Sequence, residues 1–214
     1  MSSVPGTRGY AERPEKFVKD YESVTFEKVH KPVMRFYPIH QKLASILDIG
    51  AGTGRDAAAL AQAGHFVDAV EPTTGMREHG QQLHANEQIN WIDDNLPHLH
   101  KVTASHKKYD LLLLTAVWMH LTPEERETAM HTCTNLLLPG GVMSLSLRHG
   151  PVPADRHMFD IADEEVIELG KAHGLHLLHH SVHKGDTLGR NEIHWSYVVF
   201  SNGEPTTTHH AQDI

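Results

Sequence analysis

One short glycine-rich segment constrains the fold of this chain more than any other feature of its sequence. The segment joins an apolar run to an alanine-rich run and reads Asp48-Ile49-Gly50-Ala51-Gly52-Thr53-Gly54. Glycines at such a junction let the backbone turn sharply between a strand and a helix, and let it approach a ligand closely. The sequence therefore predicts a strand, a tight turn and a helix, with a ligand site at the turn.

Predicted strands and helices alternate along the rest of the chain. The apolar patterns predict strands at 45–49, 66–70, 89–92, 109–114, 142–147, 175–182 and 193–200. They predict helices at 55–63, 74–84, 122–138 and 163–173. This alternation implies right-handed crossovers and a parallel sheet. The last two strands have no helix between them, so we expect them to form an antiparallel hairpin.

The predicted fold class is α/β, with a Rossmann-like, seven-stranded, mostly parallel sheet whose final strand is antiparallel. Residues 1–44 are expected to form an N-terminal helical cap of the same domain, and residues 45–200 its main body. Residues 201–214 are polar and predict a disordered tail. A chain of 214 residues suits one such domain and leaves little room for a second.

Composition narrows the expected partners and location. Nineteen basic residues against 27 acidic ones give a net charge of −8, which makes nucleic acid a poor candidate for the substrate. No apolar run approaches the roughly 20 residues that cross a bilayer, and no signal pattern opens the chain, so we expect no membrane partner and a cytoplasmic location. The single cysteine, Cys133, excludes an internal disulfide. The 20 histidines follow no ligand spacing, and no metal site is predicted.

The glycine spacing and one carboxylate indicate the kind of cofactor. Glu71 ends the second predicted strand, where a carboxylate can accept hydrogen bonds from both hydroxyls of a ribose; the alternative is a solvated side chain. A dinucleotide-binding turn reads G-x-G-x-x-G, but the glycines here fall at 50, 52 and 54, and Arg55 takes the place of the third glycine. This spacing disfavours a nicotinamide-dependent oxidoreductase.

The glycine turn resembles motif I of the class I S-adenosylmethionine-dependent methyltransferases. Three later segments are similar to that family in order and spacing: the acidic loop at 93–97, the segment 115–121 after the fourth strand, and the turn at 136–141. The resemblance covers about residues 45–200. It implies an enzyme that uses S-adenosyl-L-methionine, and it supports the cofactor far better than the methyl acceptor.

The resemblance also implies which residues contact the cofactor. The expected cofactor-binding residues are Asp48, Gly50, Ala51, Gly52, Gly54, Glu71, Asp93, Asp94, Thr115 and Ala116. Within this set, Asp48 lies under the amino-acid part, Glu71 holds the ribose, and either Asp93 or Asp94 meets the adenine. For Asp48 and Asp94 the alternative is local, because short acidic side chains often accept hydrogen bonds from turn amides.

The acceptor site is expected at the carboxyl ends of the strands. His120 is the candidate base; the alternative is a structural histidine bonded to a nearby carbonyl. Trp118 is expected to shape the pocket. Arg148, His149 and Arg190 bring cationic groups to this edge of an acidic chain, which predicts a small acceptor with an anionic group. Alternatively, the arginines pair with loop aspartates or hold the carboxylate of the cofactor.

Two further functions stay open at this point, namely a protein or RNA methyltransferase and a non-catalytic regulatory module that binds S-adenosylmethionine. Nothing in the sequence indicates an oligomeric state.

The N-terminal cap is rich in aromatic residues, which are Tyr10, Phe17, Tyr21, Phe26, Phe36 and Tyr37. Part of the cap is expected to close over the acceptor as a lid, and part to pack against the edge of the sheet.

Overall fold

A seven-stranded sheet forms the centre of the protein. The computed structural model describes residues 4–203 except 11, 13, 41, 42 and 187. The strands of this part are β1 (Ser45–Ile49), β2 (Phe66–Val70), β3 (Ile89–Ile92), β4 (Tyr109–Thr115), β5 (Leu137–His149), β6 (His176–Lys184) and β7 (His194–Ser201). Their order in the sheet is β3-β2-β1-β4-β5-β7-β6. The first five strands pair in parallel, whereas β7 runs antiparallel to β5 and β6. The predicted fold class is confirmed, including the antiparallel hairpin.

Helices flank the sheet. In the described residues they are α1 (Pro14–Glu22), α2 (Phe26–His30), α3 (Arg55–Gln62), α4 (Thr74–Leu83), α5 (His100–Ala104), α6 (Pro123–Leu136) and α7 (Asp163–Ala172). The helices α3, α4, α6 and α7 match the predicted ones to within two residues at each end. The sequence does not predict α5, because five residues are too few to show an apolar period.

The central strand β4 is buried on both faces, as its run of leucines predicts. Leu112 and Leu114 belong to one hydrophobic cluster, and Leu111 and Leu113 belong to the cluster on the opposite face. Cys133 of α6 is fully buried in the first cluster, and burial raises the pKa of its thiol to about 12. This position fits the packing role that its helical context predicts.

Strand β5 is longer than its apolar pattern predicts. Its first residues continue the pairing with β4 across a register irregularity, so that Tyr109 pairs with Leu137 and Leu111 with Val142. The glycines at 140 and 141 hide this extension, because glycine in a sequence indicates a turn rather than a strand. At its other end β5 continues to His149, which carries its last residues beyond those of β4.

A buried polar network ties the N-terminal helices to the sheet. His30 of α2 contacts the Asp56 carboxylate through Nε2 (2.9 Å) and the Tyr37 hydroxyl through Nδ1 (2.8 Å). Tyr37 donates to Ser144 of β5 (2.9 Å), and Thr115 of β4 donates to Asp56 (3.0 Å). Every polar group buried here has a partner, as stability requires. The network therefore fixes the N-terminal segment against α3 and two central strands.

The ends of the chain add little to the sheet. Ser201 completes β7, and residues 204–214 of the predicted disordered tail lie outside the described residues. Within the described part, no helix combines the length and the apolar character that spanning a membrane would require.

Asp94 connects the end of β3 to α5. Its carboxylate accepts hydrogen bonds from the backbone amides of Asn95 (2.9 Å), Lys101 (2.7 Å) and Val102 (3.1 Å). Two of these amides belong to the first turn of α5, where no helical carbonyl is available to them. Asp94 therefore caps this short helix from outside it.

We predict that Asp94→Ala lowers the free energy of unfolding by about 2 kcal/mol, because it leaves the amides of the first turn without their acceptor. The neighbouring Asp93 is exposed, and its one ion-pair partner among the described residues is Arg77 (3.3 Å). Asp93→Ala is therefore the matched control and should change stability by less than about 0.5 kcal/mol. Urea unfolding of both variants measures the difference. Equal losses would contradict the capping role.

Candidate active site

One cavity lies at the carboxyl ends of the parallel strands. Its volume is about 440 Å³, within the range of roughly 300–1,000 Å³ of small-molecule sites. The ends of β1, β2, β4 and β5 form its floor, and residues from α1, α2 and the loops before α7 and β7 form its walls. Residues 4–7 and Tyr10 also line it. We call residues 4–10 the N-terminal strap.

The glycine turn borders the cavity and is held by the neighbouring strand. The backbone amides of Gly50 and Ala51 both donate to the carbonyl of Val70, at 2.8 and 2.9 Å. Gly50 has φ +71°, and a Cβ there would lie 2.5 Å from a methyl group of Val117. Gly52 has φ +59°, and a Cβ there would be in ordinary van der Waals contact with Tyr21 and Met76, at 3.7–3.8 Å. The turn thus needs glycine at both positions for its backbone.

Glu71 lies next to this turn at the end of β2. Its carboxylate accepts hydrogen bonds from the backbone amides of Gly52 (2.8 Å) and Thr73 (2.7 Å). Burial raises the pKa of Glu71, and the bonds from Thr73 and Gly52 act in the opposite direction. The predicted position of Glu71 at the cavity therefore agrees with the geometry.

Asp48 is the one predicted cofactor residue with an unused buried atom. It is only 2% exposed and lines the cavity, and its Oδ2 has no hydrogen-bond partner. Burial raises the pKa of Asp48 well above its usual value, and the negative charge of Asp56 raises it further. A cationic group in the cavity would satisfy this oxygen. We call the part of the cavity around Asp48, Gly50, Gly52 and Glu71 the glycine-turn end.

His120 lines the cavity and uses both ring nitrogens. Nδ1 donates to the carbonyl of His157 (2.7 Å), so in the neutral ring Nε2 accepts from the hydroxyl of Tyr10 (3.2 Å). Burial lowers the pKa of His120 to about 4, and the cations Arg156 and Arg148 contribute to this shift against the opposing bond to His157. The geometry is thus compatible with both alternatives for His120. The bond to the His157 carbonyl fits a structural histidine, and the basic nitrogen that faces Tyr10 fits a base.

Arg148 and Arg190 both line the cavity, but their partners differ. Arg148 donates to the carbonyls of Gly150 (3.4 Å) and Pro151 (2.9 Å). Arg190 forms a two-pronged ion pair with Asp186, at 2.7 and 2.8 Å. Asp186 thus offsets the charge of Arg190, which matches the predicted alternative of a loop salt bridge.

Arg156 also lines the cavity. The sequence places its loop, residues 155–160, above this edge of the sheet but does not single out Arg156 as a site residue. Its guanidinium lies 4.0 Å from the centre of the Tyr10 ring and 4.3 Å from that of Phe17. Arg156 belongs to a loop without an apolar period, so only the folded chain reveals these contacts. We call the part of the cavity around Tyr10, His120, Arg148 and Arg156 the basic end.

Thr115 and Ala116 lie between the two ends, at the end of β4, and line the cavity as predicted. The Thr115 hydroxyl is directed to Asp56, and the Ala116 amide donates to Ser146 (3.0 Å to the hydroxyl oxygen). Ala116 has φ +59°, which is unusual for a residue with a side chain. Leu99 and His106 also have positive φ, but of these three residues only Ala116 lines the cavity.

Two residues predicted to face a ligand lie outside the cavity lining. Gly54 begins α3, and a Cβ there would lie 2.5 Å from the Trp91 ring, so this glycine serves close packing of the helix. Trp118 is fully buried in the hydrophobic core, because the 3-10 turn at 118–120 directs it inward. Neither Gly54 nor Trp118 is among the residues that line the cavity.

The predicted adenine contacts, Asp93 and Asp94, also lie outside the lining. Asp93 is directed to solvent beside Arg77, and Asp94 caps α5, which was the local alternative stated for it. The two residues that follow them, Asn95 and Leu96, line the cavity.

His149 is directed away from the cavity. Its Nε2 lies 2.7 Å from the Ser196 hydroxyl and 3.2 Å from Asp163 at the start of α7. It packs between strand ends rather than at the lining. In the part of the chain that the structure describes, no group of three His, Cys, Asp or Glu side chains is arranged to hold a metal ion.

The aromatic residues of the N-terminal cap divide between two environments. Tyr10, Phe17 and Tyr21 line the cavity, whereas Phe26 and Tyr37 are buried in the core. Phe36 packs against His179 of the edge strand β6 (5.1 Å between ring centres). The cap therefore both covers the cavity and packs against the sheet.

The part of the chain that contains the glycine turn is similar to a known protein family. A family model described as a methyltransferase domain matches residues 46–141, which include the glycine turn, Glu71 and His120. No curated protein sequence matches the chain.

Solved structures share the whole fold at low sequence identity. The 1,6-didemethyltoxoflavin-N1-methyltransferase of Burkholderia thailandensis, with bound S-adenosylhomocysteine, is 21% identical, with 94% of this chain and 92% of that one covered and a TM-score of 0.66. A TehB-like SAM-dependent methyltransferase of Corynebacterium glutamicum is 18% identical, with 90% and 98% covered and a TM-score of 0.65. The N-methyltransferase NodS of Bradyrhizobium japonicum is 18% identical, with 82% and 86% covered and a TM-score of 0.61.

The low pKa of His120 makes stability depend on pH. Unfolded chains bind a proton at histidine near pH 6.5, whereas folded His120 does so near pH 4, so stability should fall as the pH drops from about 6.5 to 4. We expect this loss to be up to about 3 kcal/mol larger in the wild type than in His120→Asn, because histidines elsewhere contribute alike to both proteins. Urea unfolding at pH 7.5, 6, 5 and 4.5 measures the two slopes. Parallel slopes would show that His120 is not buried in its neutral form.

Proposed function

We propose that the chain is a class I S-adenosylmethionine-dependent methyltransferase, which transfers the methyl group to a small, anionic acceptor by in-line displacement. The methyltransferase-domain match over residues 46–141 and the shared fold support this assignment. One observation carries the proposal: a single cavity joins the glycine turn and Glu71 to the Tyr10–His120 pair. Such a cavity brings a cofactor and an acceptor into line, and holding reactants in line supplies most of the rate gain in reactions of this kind.

The glycine-turn end fits S-adenosylmethionine. The unpartnered Oδ2 of Asp48 would accept a hydrogen bond from the ammonium group of the methionine part. The positive charge of that group would favour the ionised carboxylate and so oppose the effect of burial on the pKa of Asp48. Gly52 lines the cavity without a side chain, which would allow close approach of its backbone to a ligand, and Glu71 would bind the ribose hydroxyls. Gly50 and Ala51 would border the cofactor from the same turn.

The middle of the cavity would hold the rest of the cofactor. We assign Thr115 and Ala116 to the methionine part, beside which their backbone lies at the end of β4. The adenine contact predicted for Asp93 or Asp94 we assign to Asn95 and Leu96 instead, because these two residues line the cavity.

Tyr10 and His120 are proposed to handle the proton of the acceptor. When bound, the cofactor supplies an electrophilic methyl group on a sulfonium. When the acceptor takes up the methyl group, the Tyr10 oxygen would accept the proton of the acceptor, and Tyr10 would pass its own proton to Nε2 of His120. The carbonyl of His157 keeps Nδ1 of His120 protonated, and the low pKa keeps Nε2 free at neutral pH.

The N-terminal strap supports a small acceptor rather than a protein or an RNA. Its residues line the basic end, and Gly6 lies so close to His120 that a Cβ would be 3.2 Å from that side chain. A macromolecular acceptor would have to displace the strap, whereas a small molecule fits beneath it. The intact glycine turn and the orphan oxygen of Asp48 support an enzyme over a regulatory module that only binds the cofactor.

The first prediction for this function concerns Glu71. Replacing it with Ala should weaken binding of S-adenosylhomocysteine by about 2–3 kcal/mol, because two charge-assisted hydrogen bonds to the ribose are lost. Glu78 is an exposed glutamate of α4, so Glu78→Ala is the matched control and should bind as the wild type does. Calorimetry measures both affinities. Unchanged affinity in Glu71→Ala would overturn the assignment.

The second prediction concerns methyl transfer itself. With S-adenosylmethionine labelled in its methyl group and a metabolite extract, label should enter the small-molecule fraction, and mass analysis should identify the product. Tyr10→Phe and His120→Asn should each slow this transfer about 100-fold while S-adenosylhomocysteine still binds, because proton transfer is impaired and cofactor binding is not. Exposed His98 supplies the control His98→Asn. Label that enters only protein or RNA would contradict a small acceptor.

A further inference from the structure

The basic end holds two arginines with no acidic partner. Among the described residues, no carboxylate lies within 4 Å of the guanidinium of Arg148 or Arg156, whereas Arg190 nearby is paired with Asp186. Nε of Arg156 is buried and has no hydrogen-bond partner. A buried donor without an acceptor is costly, which indicates that a ligand supplies the acceptor.

The two arginines repel each other across the cavity. Burial lowers the pKa of Arg148, and the charges of Arg190 and Arg156 lower it further, although Tyr10 and Asp186 act in the opposite direction. The chain carries a net charge of −8, yet it gathers this uncompensated positive charge at one end of its cavity. An anion between the two guanidiniums would remove the repulsion.

The donors that remain free suit a carboxylate better than a phosphate. Arg148 already donates through Nη1 and Nη2 to the carbonyls of Gly150 and Pro151. Arg156 has Tyr10 and Phe17 over its planar group, so its ligand must approach along the edge where Nε lies. Few N–H groups are left for a third anionic oxygen, whereas two planar oxygens match the edge of a guanidinium.

The walls near these arginines are aromatic. Tyr10, Phe17 and Tyr21 line the cavity from the N-terminal segment, and Trp195 and Tyr197 line it from β7. Tyr10 and Phe17 are in contact with each other, at 5.0 Å between ring centres. Aromatic walls favour flat ligands, since rings stack or meet edge to face. A flat ring with one carboxylate therefore satisfies both the walls and the arginines.

Resting on the function proposed above, we infer that the acceptor is a small aromatic carboxylic acid, with its carboxylate between Arg148 and Arg156 and its reacting hydroxyl or N–H group towards Tyr10 and His120. Arg156 is then a residue that determines specificity for the acceptor. Arg190 has no part in it, because Asp186 already occupies its guanidinium.

The test measures how well acids bind compared with their amides. The protein is saturated with S-adenosylhomocysteine and titrated with hydroxybenzoates, aminobenzoates and hydroxynaphthoates, each beside its uncharged amide and its phosphate counterpart. We expect at least one acid to bind about tenfold or more tightly than its amide and its phosphate counterpart, as charge-assisted hydrogen bonds predict. In Arg148→Met and in Arg156→Met this preference should fall below about twofold, while Arg190→Met should keep it.

The affinity for S-adenosylhomocysteine separates this inference from the proposed function. Unchanged affinity in Arg148→Met and Arg156→Met shows that both variants are folded and that neither arginine holds the cofactor. The inference is overturned if acids and amides bind alike, if neither binds, if phosphates bind better, or if Arg190→Met alone removes the preference. It is also overturned if Arg148→Met or Arg156→Met lowers cofactor affinity as much as acid affinity. If the wild type fails to bind S-adenosylhomocysteine at all, the proposed function fails instead.

Discussion

The buried carboxylate of Asp56 is the interaction on which the rest of the site depends. It joins His30 of the N-terminal helices, Arg55 of its own helix and Thr115 at the end of the central strand. Burial alone would raise the pKa of Asp56, but Arg55 and then His30 hold it far below its usual range. A buried charge is tolerated only with such partners, and losing one of them leaves the charge exposed to an apolar interior. The Asp56 carboxylate therefore helps to fix the position of the segment that covers the cavity.

The two ends of the cavity carry opposite charges. Asp48 and Glu71 make the glycine-turn end acidic, and Arg148 and Arg156 make the basic end positive. A cofactor with ammonium and sulfonium charges suits the first, and an anion suits the second. The cofactor would be repelled by the positive charge of the basic end, and the anion by the carboxylates of the glycine-turn end. Charge alone would therefore favour one orientation of the two ligands in the cavity. The net charge of the chain is negative, so it does not indicate that one end of the cavity is positive.

Local patterns in the sequence predict the sheet and one end of the site. The strands β1, β2 and β3 have their predicted boundaries, because alternation and turn residues act over a few residues. The glycine turn and Glu71 are predictable for the same reason. The basic end is predictable only in part. The sequence places His120 and Arg148 at this edge, but the partners Tyr10 and His120 are 110 residues apart and Arg156 lies in an irregular loop. The capping of α5 by Asp94 is not predictable either, because it is a tertiary contact that no pattern of five residues records.

The burial of Cys133 has a practical consequence for following the N-terminal strap. This is the sole thiol of the chain, it is sealed in the core, and its high pKa keeps it out of the reactive thiolate form at neutral pH. A maleimide dye or spin label would therefore attach only to a cysteine that is introduced on purpose. One such cysteine at the exposed Arg8, and another on a surface helix, would yield doubly labelled protein without removing any native residue. The distance between the labels would then report in solution whether the strap opens when ligands exchange.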